Sequence, residues 1–260
     1  MATRRVSVAL FVLVGVLCAV PPAARSVVSQ VDGTIVPTTN LLQIELNTRE
    51  TVIPLDAELD AFTFPQIFMP PPLDGSNQRL VTFTDIQEEA GFENSFGWYN
   101  VGDPSRLFRI FSCHPTNNEP DDVVVVDFEA EATANRWDGG FIAFYIITPE
   151  GRDGSVTRNC GDYEPMPSGG RTNWFGHIYF TESEQNGDGD YVHNIVYSSK
   201  ENPNRFYFAF EDLFRGGDND FADFTIMVEG LTPPCTPTAE VCDGDDNDCD
   251  GEIDEGLDGN

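Results

Sequence analysis

The chain has 260 residues, 44 of them acidic and 14 basic, for a formal charge of −30. That sign excludes nucleic acid as an expected partner, because binding to phosphate requires a cationic surface. An aromatic content of 12%, including 20 Phe, is too high for an acidic disordered chain and implies a packed core.

The N-terminus, MATRRVSVALFVLVGVLCAVPPAAR, places Arg4 and Arg5 before an apolar run from Val6 to Val20. This is the pattern of a secretory signal, and the run is shorter than the ~20 residues a spanning helix needs. Cleavage is expected after Ala24, although Pro22 stands where a small residue is usual. Lipidation at Cys18 is the disfavoured alternative, since Leu17 occupies a position where a lipobox takes Gly, Ala or Ser. No later run approaches spanning length, so no membrane span is expected. Removing residues 1–24 takes away two basic residues and no acidic one, moving the charge from −30 to −32. The expected location is secreted or extracellular, or the outer surface of a Gram-negative bacterium.

Residues 25–79 mix apolar and polar positions without a clear period and end in the Pro-rich loop MPPPLDGSNQ; strands packing on the main domain are expected in part of this segment. From Leu80 to Phe83 the pattern alternates as a strand, a helical turn is expected over 85–90, and aromatics dominate the stretch that follows. Later segments are short, β-branched or aromatic, and bounded by turn residues: 123–128, 141–148, 176–181, 191–198, 205–211 and 221–228. Their spacing predicts an all-β antiparallel sandwich, jelly-roll-like, over 80–231. Within it Phe206, Phe208 and Phe210 alternate with Tyr207 and Ala209, so the phenyl rings share one face; Phe224, Ile226 and Val228 do the same, with Ala222 before them. Residues 232–241 read as a linker and 242–260 as an acidic tail.

The sharpest feature is EDLFRGGDNDFADF, which crowds Glu211, Asp212, Asp218, Asp220 and Asp223 into one connection between two strands, with only Arg215 to offset them. Carboxylates this close repel one another, and a hard dication taking six to eight oxygens relieves the repulsion. Asp212, Asp218 and Asp220 are the expected direct ligands, with Glu211 and Asp223 behind them. Asn186, Asp188 and Asp190 alternate in NGDGDY and are expected to form a second wall of the same site, although such stretches are also ordinary hairpin turns. In the tail, Asp246, Asp248 and Asp250 followed by Gly251 have the spacing of a calcium loop, with Asp254 or Glu255 closing the shell. Leu257 stands where an EF-hand carries its bidentate Glu, so the loop is a shortened relative. Oxygen-only donors favour calcium over softer metals.

Five cysteines remain after the signal. Cys113 is expected to pair with Cys160 and Cys242 with Cys249, leaving Cys235 unpaired or exchanging with Cys242. His114, His177 and His193 lack metal-ligand spacing. No G-x-S-x-G, H-E-x-x-H, P-loop or dinucleotide fingerprint is present, and the clustered acids sit in one turn instead of facing each other across a cleft, so no enzymatic activity is expected.

The blocks GFENSFGWYNV, GGFIAFYIITPEG, HIYFTESEQNGDGDYVHNIVYSS and FYFAFEDLFRGGDNDFADFTIMVEG, in this order, resemble the domain of unknown function 4114 family over roughly Leu80 to Leu231. Ala222 stands where that family often has Asn. The resemblance implies a β-sandwich found in exported bacterial proteins, suggests metal binding and carries no established activity. The tail CTPTAEVCDGDDNDCDGEIDEGL resembles a single MopE-type metal-binding motif, from about Cys235 to Leu257.

The reading is therefore an exported, calcium-binding β-sandwich protein with a structural or adhesive role at or outside the cell surface. Two alternatives stay open. Trp98, Tyr99, Trp137 and Trp174 would stack on sugar rings if exposed, making the domain a calcium-dependent binder of cell-surface or extracellular glycan; Trp137, in the polar stretch NRWDGG, is the best placed. Paired carboxylates also suit a polysaccharide hydrolase.

Overall fold

The computed structural model describes residues 28–50, 61–62, 66–87, 92–114, 121–149 and 177–234, the side chains of 41, 61, 62, 87, 113, 114 and 177 excepted. In chain order the elements are β1 (Val28–Ser29), β2 (Ile35–Val36), α1 (Leu41–Arg49), β3 (Ala61–Phe62), β4 (Leu80–Gln87), β5 (Asn94–Asn100), β6 (Phe108–His114), β7 (Val123–Asp127), α2 (Phe128–Thr133), β8 (Ile142–Thr148), β9 (His177–Phe180), β10 (Asn194–Ser198), β11 (Arg205–Phe210) and β12 (Phe224–Glu229). The signal, the acidic tail, Trp174 and Cys160, Cys235, Cys242 and Cys249 lie outside the described residues, as does the Cys113 side chain, so neither expected disulfide falls within them.

Two antiparallel sheets form a sandwich. One has six strands in the order β3-β10-β11-β12-β4-β7, the other four in the order β6-β5-β8-β9. Strand alternation sends Phe206, Phe208 and Phe210 of β11 and Phe224, Ile226 and Val228 of β12 inward, where they join Phe83, Phe96, Phe144 and Ile146 in the central core. The rings interlock: Phe96 stacks on Phe144 with centroids 5.6 Å apart and meets Phe210 edge-on at 5.8 Å. Such pairs add about 0.5–1.5 kcal/mol each beyond the area they bury.

The outer face of the six-stranded sheet is also apolar, because Ile195, Tyr197, Tyr207 and Ala209 alternate with the core set; it is covered by Val28, Val36, Leu42 and Leu46 from the N-terminal segment. Leu42 and Leu46 are one helical turn apart on α1, which fixes that face against the sheet. The helix was not apparent from periodicity because Ile44, between the two leucines, points to solvent at 55% exposure. β1 and β2 pair as a short hairpin beside it.

The helical turn expected over 85–90 is not formed in its described part: Asp85 and Gln87 continue β4, paired with Ile226 and Thr225 of β12. Backbone bonds from Asp85 to Asp121 and Asp122 hold that end extended. Conversely, the strand expected through Phe128 stops one residue earlier. Asp127 Oδ1 accepts from Glu129 N at 3.0 Å, caps α2, and turns the chain out of the sheet.

Among the described residues, the aromatics considered for stacking on sugars, Trp98, Tyr99 and Trp137, are buried. Trp98 and Tyr99 are 2% and 0% exposed, and Trp137 is 7% exposed with its Nε1 donating to Gly140 O at 2.9 Å. Its ring meets Phe128 edge-on at the rim of the core, with the Arg79 guanidinium over its face. The polar neighbours that suggested an exposed Trp137 belong to the turn that closes over it.

Candidate metal site

β11 and β12 are neighbouring central strands, closed by the pair Phe210 and Phe224, so the thirteen residues 211–223 form their connection at one end of the sandwich. Five of the seven residues 215–221 have positive φ: Arg215, Gly216, Gly217, Asn219 and Phe221. Gly217, at φ 42° and ψ −116°, is free to take this course, and a Cβ there would lie 2.8 Å from Glu211 Oε1 as well as inside Leu213. Phe221 has no such freedom; its buried ring, packed with Ile195 and Tyr207, holds the strained backbone in place. The result folds the loop back so that Asp218 and Asp220 approach Glu211.

Two groups of carboxylates form, each with ligand oxygens within 4.8 Å of one another: Glu211, Asp218 and Asp220, and Glu211, Asp212 and Asp223. All five acids proposed from the loop are therefore brought together, and Glu211 belongs to both groups. Glu211 and Asp212 are 0% and 1% exposed, Asp220 and Asp223 are half-buried, and Asp218 is open to solvent. Local hydrogen bonds orient them: Asp212 N donates to Asp223 Oδ2 at 2.9 Å, Ala222 N to Asp220 Oδ1 at 2.9 Å and Leu213 N to Glu211 Oε1 at 3.3 Å. Glu211 Oε2 is buried and has no hydrogen-bond donor.

The electrostatic consequence is large. Burial first, then the charges and contacts of Asp223, Asp218 and Asp212, push the Glu211 carboxyl up to about 10. Burial raises Asp223 as well, against the N–H bond from Asp212. Two ionised carboxylates about 4 Å apart repel by about 4 kcal/mol at an effective dielectric of 20. A group of oxygens this close with one left undonated matches a hard cation, whose ligand oxygens lie about 2.3–2.6 Å from it.

Sequence reasoning missed Asn94. It opens β5, in the opposite sheet, and donates from Nδ2 to Asp212 Oδ2 at 2.7 Å, while its Oδ1 is buried without a donor. The signal was a polar residue at the start of a strand buried along its whole length, NSFGWYN. Gln30 and Thr38 were missed too. Thr38 N and Oγ1 donate to the carbonyls of Asn219 and Asp218, both at 2.8 Å, and Gln30 Nε2 donates to Asn219 Oδ1 at 2.7 Å.

The NGDGDY residues are placed differently from the carboxylate groups. Asn186 spends its amide on the backbone, accepting from Phe180 N and donating to Tyr191 O. Asp188 Oδ2 accepts from Arg215 N at 2.8 Å and lies 2.9 Å from His193 Nε2. Burial raises the Asp188 carboxyl, but the His193 ring and these hydrogen bonds together hold it below its ordinary value. Asp190 is exposed, at φ 64° in the turn. The two loops thus meet, but through Asp188 and Arg215 and not through a shared set of close oxygens. His193 is fully buried with its other ring nitrogen 2.8 Å from the Glu211 carbonyl oxygen, so both ring nitrogens are occupied.

Residues 138–230 match a family model described as Domain of unknown function (DUF4114). The match runs from just before β8 to just past the end of β12 and includes the whole acidic loop; it is narrower than the resemblance over 80–231 and leaves out Asn94, Gln30 and Thr38. No curated protein and no solved structure matches the chain.

Proposed function

We propose that this is an exported calcium-binding protein whose β-sandwich is fixed at one end by metal and whose role, at or outside the cell surface, is structural or adhesive and not catalytic. The observation that carries the reading is the buried, undonated Oε2 of Glu211 among four neighbouring carboxylates. Without a cation that arrangement either retains a proton or costs several kcal/mol in repulsion. Calcium suits it because every donor is oxygen and the number available exceeds what a smaller, strictly octahedral magnesium ion takes from protein. His193, whose ring nitrogens are already used, offers nothing to zinc.

Export rests on the N-terminal signal pattern, and a second calcium site rests on the spacing of Asp246, Asp248 and Asp250 in a tail that resembles the MopE-type motif. A non-catalytic role is favoured because the acids are ligand-close and belong to one loop.

The test is elemental analysis of the mature protein after dialysis against trace calcium. Calcium should co-purify, fall in Glu211→Gln, and fall separately in the tail variant Asp246→Asn/Asp248→Asn/Asp250→Asn. Calcium content unchanged in both variants would overturn the assignment.

A further inference from the structure

We infer that the acidic loop holds two cations bridged by Glu211, the inner one completed by Asn94 from the opposite sheet. This rests on the calcium reading of the same site. The five carboxylates do not form a single close set; they divide into Glu211 with Asp218 and Asp220, and Glu211 with Asp212 and Asp223, each set within 4.8 Å. One ion with oxygens at about 2.3–2.6 Å spans one such set, so collecting all five around it would require the loop to move. Two ions sharing a carboxylate, about 3.5–4 Å apart as in other paired metal sites, use the oxygens where they stand.

Charge leads to the same count. Five ionised carboxylates carry −5, which one dication reduces to −3 and two reduce to −1, and Glu211 and Asp212 are too buried for water to screen the remainder. Independent of the acids, the Asn94 carboxamide reaches the inner set through its Nδ2 bond to Asp212 and leaves a fully buried Oδ1 beside it without a donor. A neutral amide oxygen is a ligand that calcium accepts. The two positions differ in access: the inner set is enclosed, while exposed Asp218 opens the outer one to water. The inner ion should therefore be released more slowly than the outer.

The experiment counts calcium by native mass spectrometry on the full mature chain carrying Asp246→Asn/Asp248→Asn/Asp250→Asn, so that the tail contributes none. Two ions are expected, falling to one in Asp218→Asn and to none in Glu211→Gln. A count of one in the tail-substituted parent overturns the bridged pair and leaves the calcium reading intact; a count of none overturns both. Two ions unaffected by Glu211→Gln would place them elsewhere and also overturn it. The parent count needs no loop variant to fold.

Discussion

Asn94 and Asp212 join the two sheets of the sandwich at its acidic end: Asn94, at the start of β5, donates to Asp212, just past the end of β11, at 2.7 Å, with both residues buried. The loop is therefore anchored to the opposite layer as well as to its own. A hydrogen bond to a charged group contributes about 1.5–3 kcal/mol. Asn94→Leu should lower stability by about that amount in urea unfolding and also shrink the calcium-induced shift. An unchanged calcium response in this variant would remove Asn94 from the site.

The pH dependence of the metal-free protein has a definite sign. Glu211 in the folded chain keeps its proton up to about 10, whereas the unfolded chain releases it near the ordinary 4.5. Between those values the unfolded state binds fewer protons, so stability falls as pH rises, and the raised Asp223 carboxyl acts in the same direction. Melting temperature in chelator should drop from pH 5 to pH 9. Saturating calcium, which binds the ionised form, should flatten that slope. A chelated protein that gains stability toward pH 9 would contradict the assignment.

Gln30 positions the loop without contributing a charge. It is 3% exposed, donates to Asn219 Oδ1 and to Val192 O, and accepts from Val192 N, so it ties the segment around 192 to the loop around 219. Leaving buried polar groups unpaired costs about 1–3 kcal/mol. Gln30→Ala should lower calcium affinity, measured by calorimetric titration, although no carboxylate is altered. Equal affinity would show that the loop holds its shape unaided.

Phe96 supplies the opposite control. It stacks on Phe144 and Phe111 and meets Phe210 edge-on, with 0% exposure. Phe96→Ala should cost about 3–5 kcal/mol in chemical unfolding, as large aromatic truncations in cores do. The increment added by calcium should persist, since no donor oxygen is removed.

What was legible in the sequence is what depends on local pattern. The alternation of Phe206, Phe208 and Phe210 reports the core face of β11 directly, and the acids of 211–223 sit in one turn, so their proximity follows from chain connectivity. Asn94 and Gln30 reach the loop from 118 and 189 residues away, a separation that no short-range spacing encodes. α1 was hidden because exposed Ile44 breaks the apolar stripe, and Trp137 was misread because its polar neighbours form the turn above a buried ring. The NGDGDY alternation suits both a ligand wall and a hairpin turn; Asn186 Oδ1 accepts from Phe180 N, and Asp188 Oδ2 accepts from Arg215 N and meets His193 Nε2.

The central claim is that a hard dication resolves the crowding around Glu211, and thermal melting of the full mature protein in calcium and in chelator tests it most directly. At a free calcium concentration one hundredfold above Kd, mass action adds about 2.7 kcal/mol, or about 5–10 °C in a domain of this size. The account predicts that rise in the natural chain and its loss in Glu211→Gln. Superimposable melting curves for the natural chain in calcium and in chelator would contradict it.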